Sequence, residues 1–158
     1  MRTFLRNGFL LALVLLAGCA TTMELPPDFA QLLGRAEFRA TTSDDAVLQV
    51  REVLDPTVKS DAKFWIDALR SDFVGQRGYV ETGAGEVTDG EGALGQWVEF
   101  TGVLRGEKVG YLVAVWVRRG GLFGLGKARL RVVEFGGREA VYGARVEAVK
   151  KALATVRG

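Results

Sequence analysis

The chain has no histidine, and its one cysteine, Cys19, closes an apolar N-terminal segment. A zinc site therefore lacks its usual imidazole and thiolate ligands, and a Ser-His-Asp or Cys-His device lacks its base. No disulfide can form within one chain that has a single thiol, so stability must come from packing. Asparagine occurs once, as Asn7, and serine three times, as Ser43, Ser60 and Ser71. Most common hydrolytic and redox chemistries are thereby excluded, and the expectation is a non-enzyme without a cofactor. Charge of one sign is also lacking. Lysine and arginine number 21 against 19 acids, and Arg2 and Arg6 fall in the first seven residues, so the remainder is balanced. Nucleic-acid binding needs a clear basic excess on one face, and none is evident.

No apolar run is long enough to span a bilayer, which takes roughly 20 residues. The longest, Phe9 to Ala17, follows a basic start with Arg2 and Arg6 and ends in small residues, the layout of a secretory signal peptide. Its close, Leu16-Ala17-Gly18-Cys19, resembles the lipobox of bacterial lipoproteins. That resemblance implies lipid transfer to the Cys19 thiol, cleavage after Gly18 and acylation of the new amino group. A thiol is the nucleophile suited to this alkylation, and two or more buried chains anchor stably where one does not. Ala20 follows where an aspartate would imply inner-membrane retention, so the same rule implies the periplasmic face of an outer membrane in a Gram-negative cell. The expected organisation is a signal peptide over 1–18, a lipidated tether over 19–27 stiffened by Pro26-Pro27, and one domain over 28–158.

Within that domain, alternation predicts strands over Ala36 to Thr42 and Ala46 to Leu54, joined at Ser43-Asp44-Asp45. Asp55-Pro56 breaks the second. Ser60 is the expected N-cap of a helix running to about Arg77, with Phe64, Trp65, Ala68, Leu69 and Phe73 inward and Gly78 as C-cap. Strands follow over Tyr79 to Thr88, Leu94 to Leu104, Val109 to Arg118 and Ala128 to Phe135. The third of these is apolar on both faces, which marks a covered central strand. Gly136-Gly137 ends the sheet, and Arg138 to Val156 reads as one amphipathic helix burying Val141, Ala144, Ala148, Val149, Ala152 and Val156. The fold class is therefore α+β: an antiparallel sheet of about six strands with two helices, in the order β-β-α-β-β-β-β-α.

That order, with the segments FRATTSDDAVLQVRE, FWIDALRSDFVGQRGY, VGYLVAVWV and RVVEFGG, resembles the Mog1/PsbP-like fold, and within it bacterial lipoproteins of the DcrB/DUF1795 kind. The likeness covers roughly Leu25 to Val156. It implies an adaptor or accessory module rather than an enzyme.

Gly121 to Ala128 is one residue short of a phosphate-binding loop, but a strand follows where that motif needs a helix, so no nucleotide is expected. Leu122, Phe123 and Leu125 lie among four glycines at a hairpin tip, flanked by Arg118, Arg119, Lys127, Arg129 and Arg131. Apolar residues rimmed by charge mark a contact site, here for anionic lipid or an acidic envelope partner; the alternative is that the loop folds back as a cap. Glu81, Glu86, Asp89 and Glu91 read as a solvated acidic turn rather than a metal site. Trp65 and Trp116 read as packing anchors, and Trp97 as a partly exposed residue beside a small apolar groove. The function expected is a lipid-anchored, non-catalytic interaction module at the membrane. The alternative is a carrier or sensor of a small hydrophobic ligand between sheet and helices.

Overall fold

The computed structural model describes residues 21–33, 37–54, 61–119 and 128–158. The strands are β1 (Ala30–Gln31), β2 (Phe38–Thr41), β3 (Val47–Leu54), β4 (Val80–Thr88), β5 (Leu94–Leu104), β6 (Glu107–Arg119) and β7 (Ala128–Arg138). The helices are α1 (Ala62–Arg70), α2 (Glu139–Gly143) and α3 (Val146–Leu153), and α1 runs on into a π-helical turn, Ser71–Gln76. All strand pairs are antiparallel, in the order β1-β2-β3-β7-β6-β5-β4. The class is α+β, with seven strands rather than about six. The additional strand is β1, two residues long and exposed, too short for alternation to register.

Strand β6 carries core on both sides. Val113 and Val115 join Ile66 and Phe73 from α1 and its π-turn, with Val98, Phe100 and Leu130. Leu112, Ala114 and Trp116 point the other way, into a cluster with Leu48, Val50, Val133, Phe135, Tyr142, Val149 and Leu153. Burying each large apolar side chain contributes about 1.5–3 kcal/mol, so β6 draws stability from both layers.

Helix α1 starts at Asp61, whose carboxylate accepts from the Phe64 backbone N–H at 2.8 Å. Asp61, not Ser60, is thus the cap; Ser60 lies outside the described residues. Ile66 faces the sheet, while Phe64 is 51% exposed and Ala68 is also exposed. The inward stripe is rotated from the expected one because the helix docks through Trp65, Ile66 and Leu69. In the π-turn, the Arg77 N–H reaches back to Asp72 O at 3.1 Å. Gly78 ends the turn at φ 69°.

Gly136 and Gly137 do not end the sheet. They continue β7 and pair with Tyr111 and Gly110 of β6; the Tyr111 ring takes the space beside Gly136, and the Tyr142 ring that beside Gly110. The C-terminal helix is split at Ala144 and Arg145, and Ala144 is exposed. Arg145 turns back to the Val141 carbonyl at 3.2 Å and to Asp44 at 3.0 Å. The break lets Tyr142 stack on Phe135 while Val146, Val149 and Leu153 follow a new axis onto the sheet.

Candidate functional site

One end of the sheet brings the segment from Thr22 against the segment through Arg157. Thr22 and Arg157 form a two-bond antiparallel bridge at 2.8 and 2.9 Å. The Glu24 N–H donates to Thr155 Oγ1 at 3.0 Å, and Met23 is buried in the core. The stretch read as a tether is therefore docked from Thr22 onward, because Met23 and Pro26 find apolar cover there.

Beside this bridge, Arg131 is fully buried on β7. Its guanidinium reaches Glu52 at 2.7 Å, Glu91 at 3.0 Å and Asp89 at 3.3 Å, and also donates to the Gly158 carbonyl. Arg118 pairs with Glu91 and donates to Gly158 O at 3.2 Å. These two arginines, expected as the charged flanks of a contact loop, instead knit the turn after β4 to the last residues. Arg119 ends β6 exposed, opposite Ala128. Arg118 and Arg119 thus stand at the end of β6, whereas Leu122, Phe123, Leu125 and Lys127, the rest of the expected contact loop, lie outside the described residues. So do Leu16, Ala17, Gly18 and Cys19.

The acidic stretch is not simply a solvated turn. Asp89 is buried and accepts from the Glu91 and Ala93 N–H groups, both at 2.9 Å. Arg70 grips Glu81 through two bonds of 2.9 Å. Trp97 is half-buried, with the Lys150 ammonium 4.5 Å above its ring and Gly85 against it. Lys150 also pairs with Glu99, to which the Tyr142 hydroxyl donates at 3.0 Å. Lys150 thus ties α3 to the sheet on that face, while toward α1 a shallow pocket of about 260 Å³ lies beside Trp97, lined by Ile66, Arg70, Gly85 and Gln96 among others.

A larger concavity lies elsewhere. Helix α1 covers β5 and β6 but leaves the same face of β7 and β3 bare toward the opposite end. An open groove of about 600 Å³ is the result, bounded by Val47, Arg51, Phe73, Tyr79, Tyr111 and Arg138, among others. The π-turn shapes one wall. It carries Phe73 inward to stack on Tyr111 at 5.1 Å, with Tyr79 edge-on at 5.2 Å, in keeping with the functional associations of such turns. On the floor, the Tyr111 hydroxyl donates to one Glu134 oxygen while Arg51 holds the other. Burial, and then donation to Glu134, push the Tyr111 pKa well above the ordinary tyrosine value. Tyr111 is thus a fixed donor rather than a proton source. Arg77 lies 4.7 Å over the Phe73 ring.

Sequence reasoning missed this groove. Its polar residues come from three strands and the end of the π-turn, Arg51 from β3, Tyr111 from β6, Glu134 and Arg138 from β7 and Arg77 beyond the turn, and the local sign is Glu134 interrupting the apolar run Val132-Val133-Glu134-Phe135.

No helix among the described residues is long and apolar enough to cross a membrane. No protein-family model matches the chain, and no curated protein matches it in sequence. Among solved structures it is similar to the crystal structure of LpqN, described as involved in cell envelope biogenesis of Mycobacterium tuberculosis. The TM-score is 0.66 at 11% identity, covering 89% of this chain and 86% of that one. A likeness at that identity establishes a shared fold.

Proposed function

We propose that this protein is a lipid-anchored accessory module of the cell envelope, held by Cys19 with its Thr22–Arg157 end against the bilayer. The observation that carries this reading is the docked N-terminal segment. Only Ala20 and Thr21 lie between Cys19 and the Thr22 bridge, so the three steps span about 10 Å when extended. A lipid on Cys19 therefore fixes both closeness and orientation. Arg118 and Arg119 at the end of β6 share that end, and the sequence reading of Leu122, Phe123 and Leu125 as a contact loop supports a meeting with lipid headgroups or an adjacent envelope protein.

The Mog1/PsbP-like resemblance supports an adaptor role, and the fold shared with LpqN supports an envelope setting. The module acts by binding, without catalysis, nucleotide or nucleic acid, and in a Gram-negative cell it occupies the periplasmic face of the outer membrane. A carrier role remains the second reading. The space between the sheet and α3 is filled by side chains, so such a ligand would occupy the open groove instead.

The test is mass spectrometry and fractionation of the parent and a Cys19→Ser variant. Acyl mass on Cys19, with release of the variant from membranes, is expected. A photo-crosslinker at Arg157 should capture lipid and one at Arg105, at the far turn, should not. Identical fractionation with no acyl mass would sink the anchoring, and equal lipid capture at both positions would sink the orientation.

A further inference from the structure

We propose that the groove binds an amphiphilic anion, its apolar body against Phe73, Tyr79 and Tyr111 and its oxyanion head held by Arg51, Arg77 and Arg138. This goes beyond the anchoring and holds whether or not Cys19 carries lipid.

Charge within the lining argues for the sign. Three guanidinium groups border the groove against the single carboxylate of Glu134. Both Glu134 oxygens are already occupied, by Tyr111 and Arg51. Arg138 is exposed at the end of β7 and has no ion-pair partner among the described residues. Arg77 pairs with Asp72 at 2.6 Å, but that bridge is more than half exposed on the arginine side, and such surface pairs exchange at little cost, about 0–1 kcal/mol. Guanidinium forks match the planar oxygens of carboxylate or phosphate in a bidentate fashion. A cationic ligand would meet this excess unfavourably, and a neutral one would leave it unused.

The opposite wall argues for the body. Phe73, Tyr79 and Tyr111 form a continuous aromatic surface, and Leu104 at the rim remains 56% exposed. The volume lies in the range of roughly 300–1,000 Å³ common for small-ligand sites. A free inorganic anion would satisfy the arginines but leave this wall wet.

The experiment uses the full chain in neutral phosphatidylcholine nanodiscs, with empty discs as blank. Octyl phosphate, octyltrimethylammonium and inorganic phosphate are titrated calorimetrically. Octyl phosphate should bind, with the cation and the inorganic anion each weaker by about tenfold or more. Arg138→Glu, at an exposed position, should weaken octyl phosphate by about tenfold, and Val47→Trp, which narrows the groove, should remove binding; melting curves verify that both remain folded. No binding of octyl phosphate would overturn the proposal, as would equal binding of the cation or unchanged affinity in both folded variants. Equal affinity for inorganic phosphate would replace the amphiphile with an adventitious ion only.

Discussion

Arg131 and Asp89 meet 3.3 Å apart with neither side chain exposed to solvent. Taking two charges out of water is costly, and the pair persists because each has other partners. Asp89 accepts two backbone N–H groups, and Arg131 is held by Glu52 and Glu91 as well. Removing Arg131 leaves the buried Asp89 carboxylate without a cation, and removing Asp89 costs Arg131 one ion pair and two backbone N–H groups their acceptor.

Asp89→Ala is therefore expected to destabilise the fold by about 3–5 kcal/mol, the usual cost of breaking a buried pair from one side. Urea unfolding checks this. Arg131→Met combined with Asp89→Ala should cost much less than the sum of the two single changes, since Asp89 is then no longer present to be left buried without a cation. Full additivity would mean the residues act independently.

Acid should act through Glu91. Hydrogen bonds from Arg118 and then Arg131 lower its pKa from 4.5 to about 2. A carboxyl depressed on folding adds stability that is complete above its unfolded value and is lost as pH falls through the folded one. The melting temperature is expected to drop between about pH 4.5 and pH 2 by this route. In Glu91→Gln, thermal scans should show a lower melting temperature at neutral pH and a shallower fall over that window. An unchanged slope would contradict the assignment.

Glycine within the strands gives a third expectation. A Cβ on Gly110 would lie 2.2 Å from Tyr142 Cδ1. That ring cannot move away, because it stacks on Phe135 at 5.1 Å and its hydroxyl donates to buried Glu99. Gly110→Ala should cost about 1–3 kcal/mol by overpacking, read from the urea midpoint. Pairing it with Tyr142→Ala should recover part of that loss.

Strand legibility tracked local pattern. Leu94–Leu104 was readable to the residue, because a charged turn bounds it on each side. The two-faced apolar character of Leu112 to Val117 placed β6 centrally, as observed. Failures came where a distant partner decides the outcome. Gly136 and Gly137 look like a terminator until Tyr111 and Tyr142 are placed beside their strands. Arg131 looks like a surface charge until Glu52 and Asp89, 79 and 42 positions away, close around it. At the split between α2 and α3, Arg145 pairs with Asp44, a contact no helical period reveals. The groove was illegible for the same reason: Arg51 and Tyr111 both find Glu134 only once β3 and β6 flank β7.

The central position of β7 has a consequence for how the chain is made. Strands β1 to β3 touch the rest of the sheet only through β7, with Leu48 opposite Phe135. A polypeptide emerging N-terminus first therefore exposes Phe38, Leu48 and Val50 until β7 has been delivered. Any truncation before Ala128 removes the keystone and leaves two half-sheets with greasy open flanks, so quality control should treat incomplete chains as unfolded substrates rather than as stable fragments.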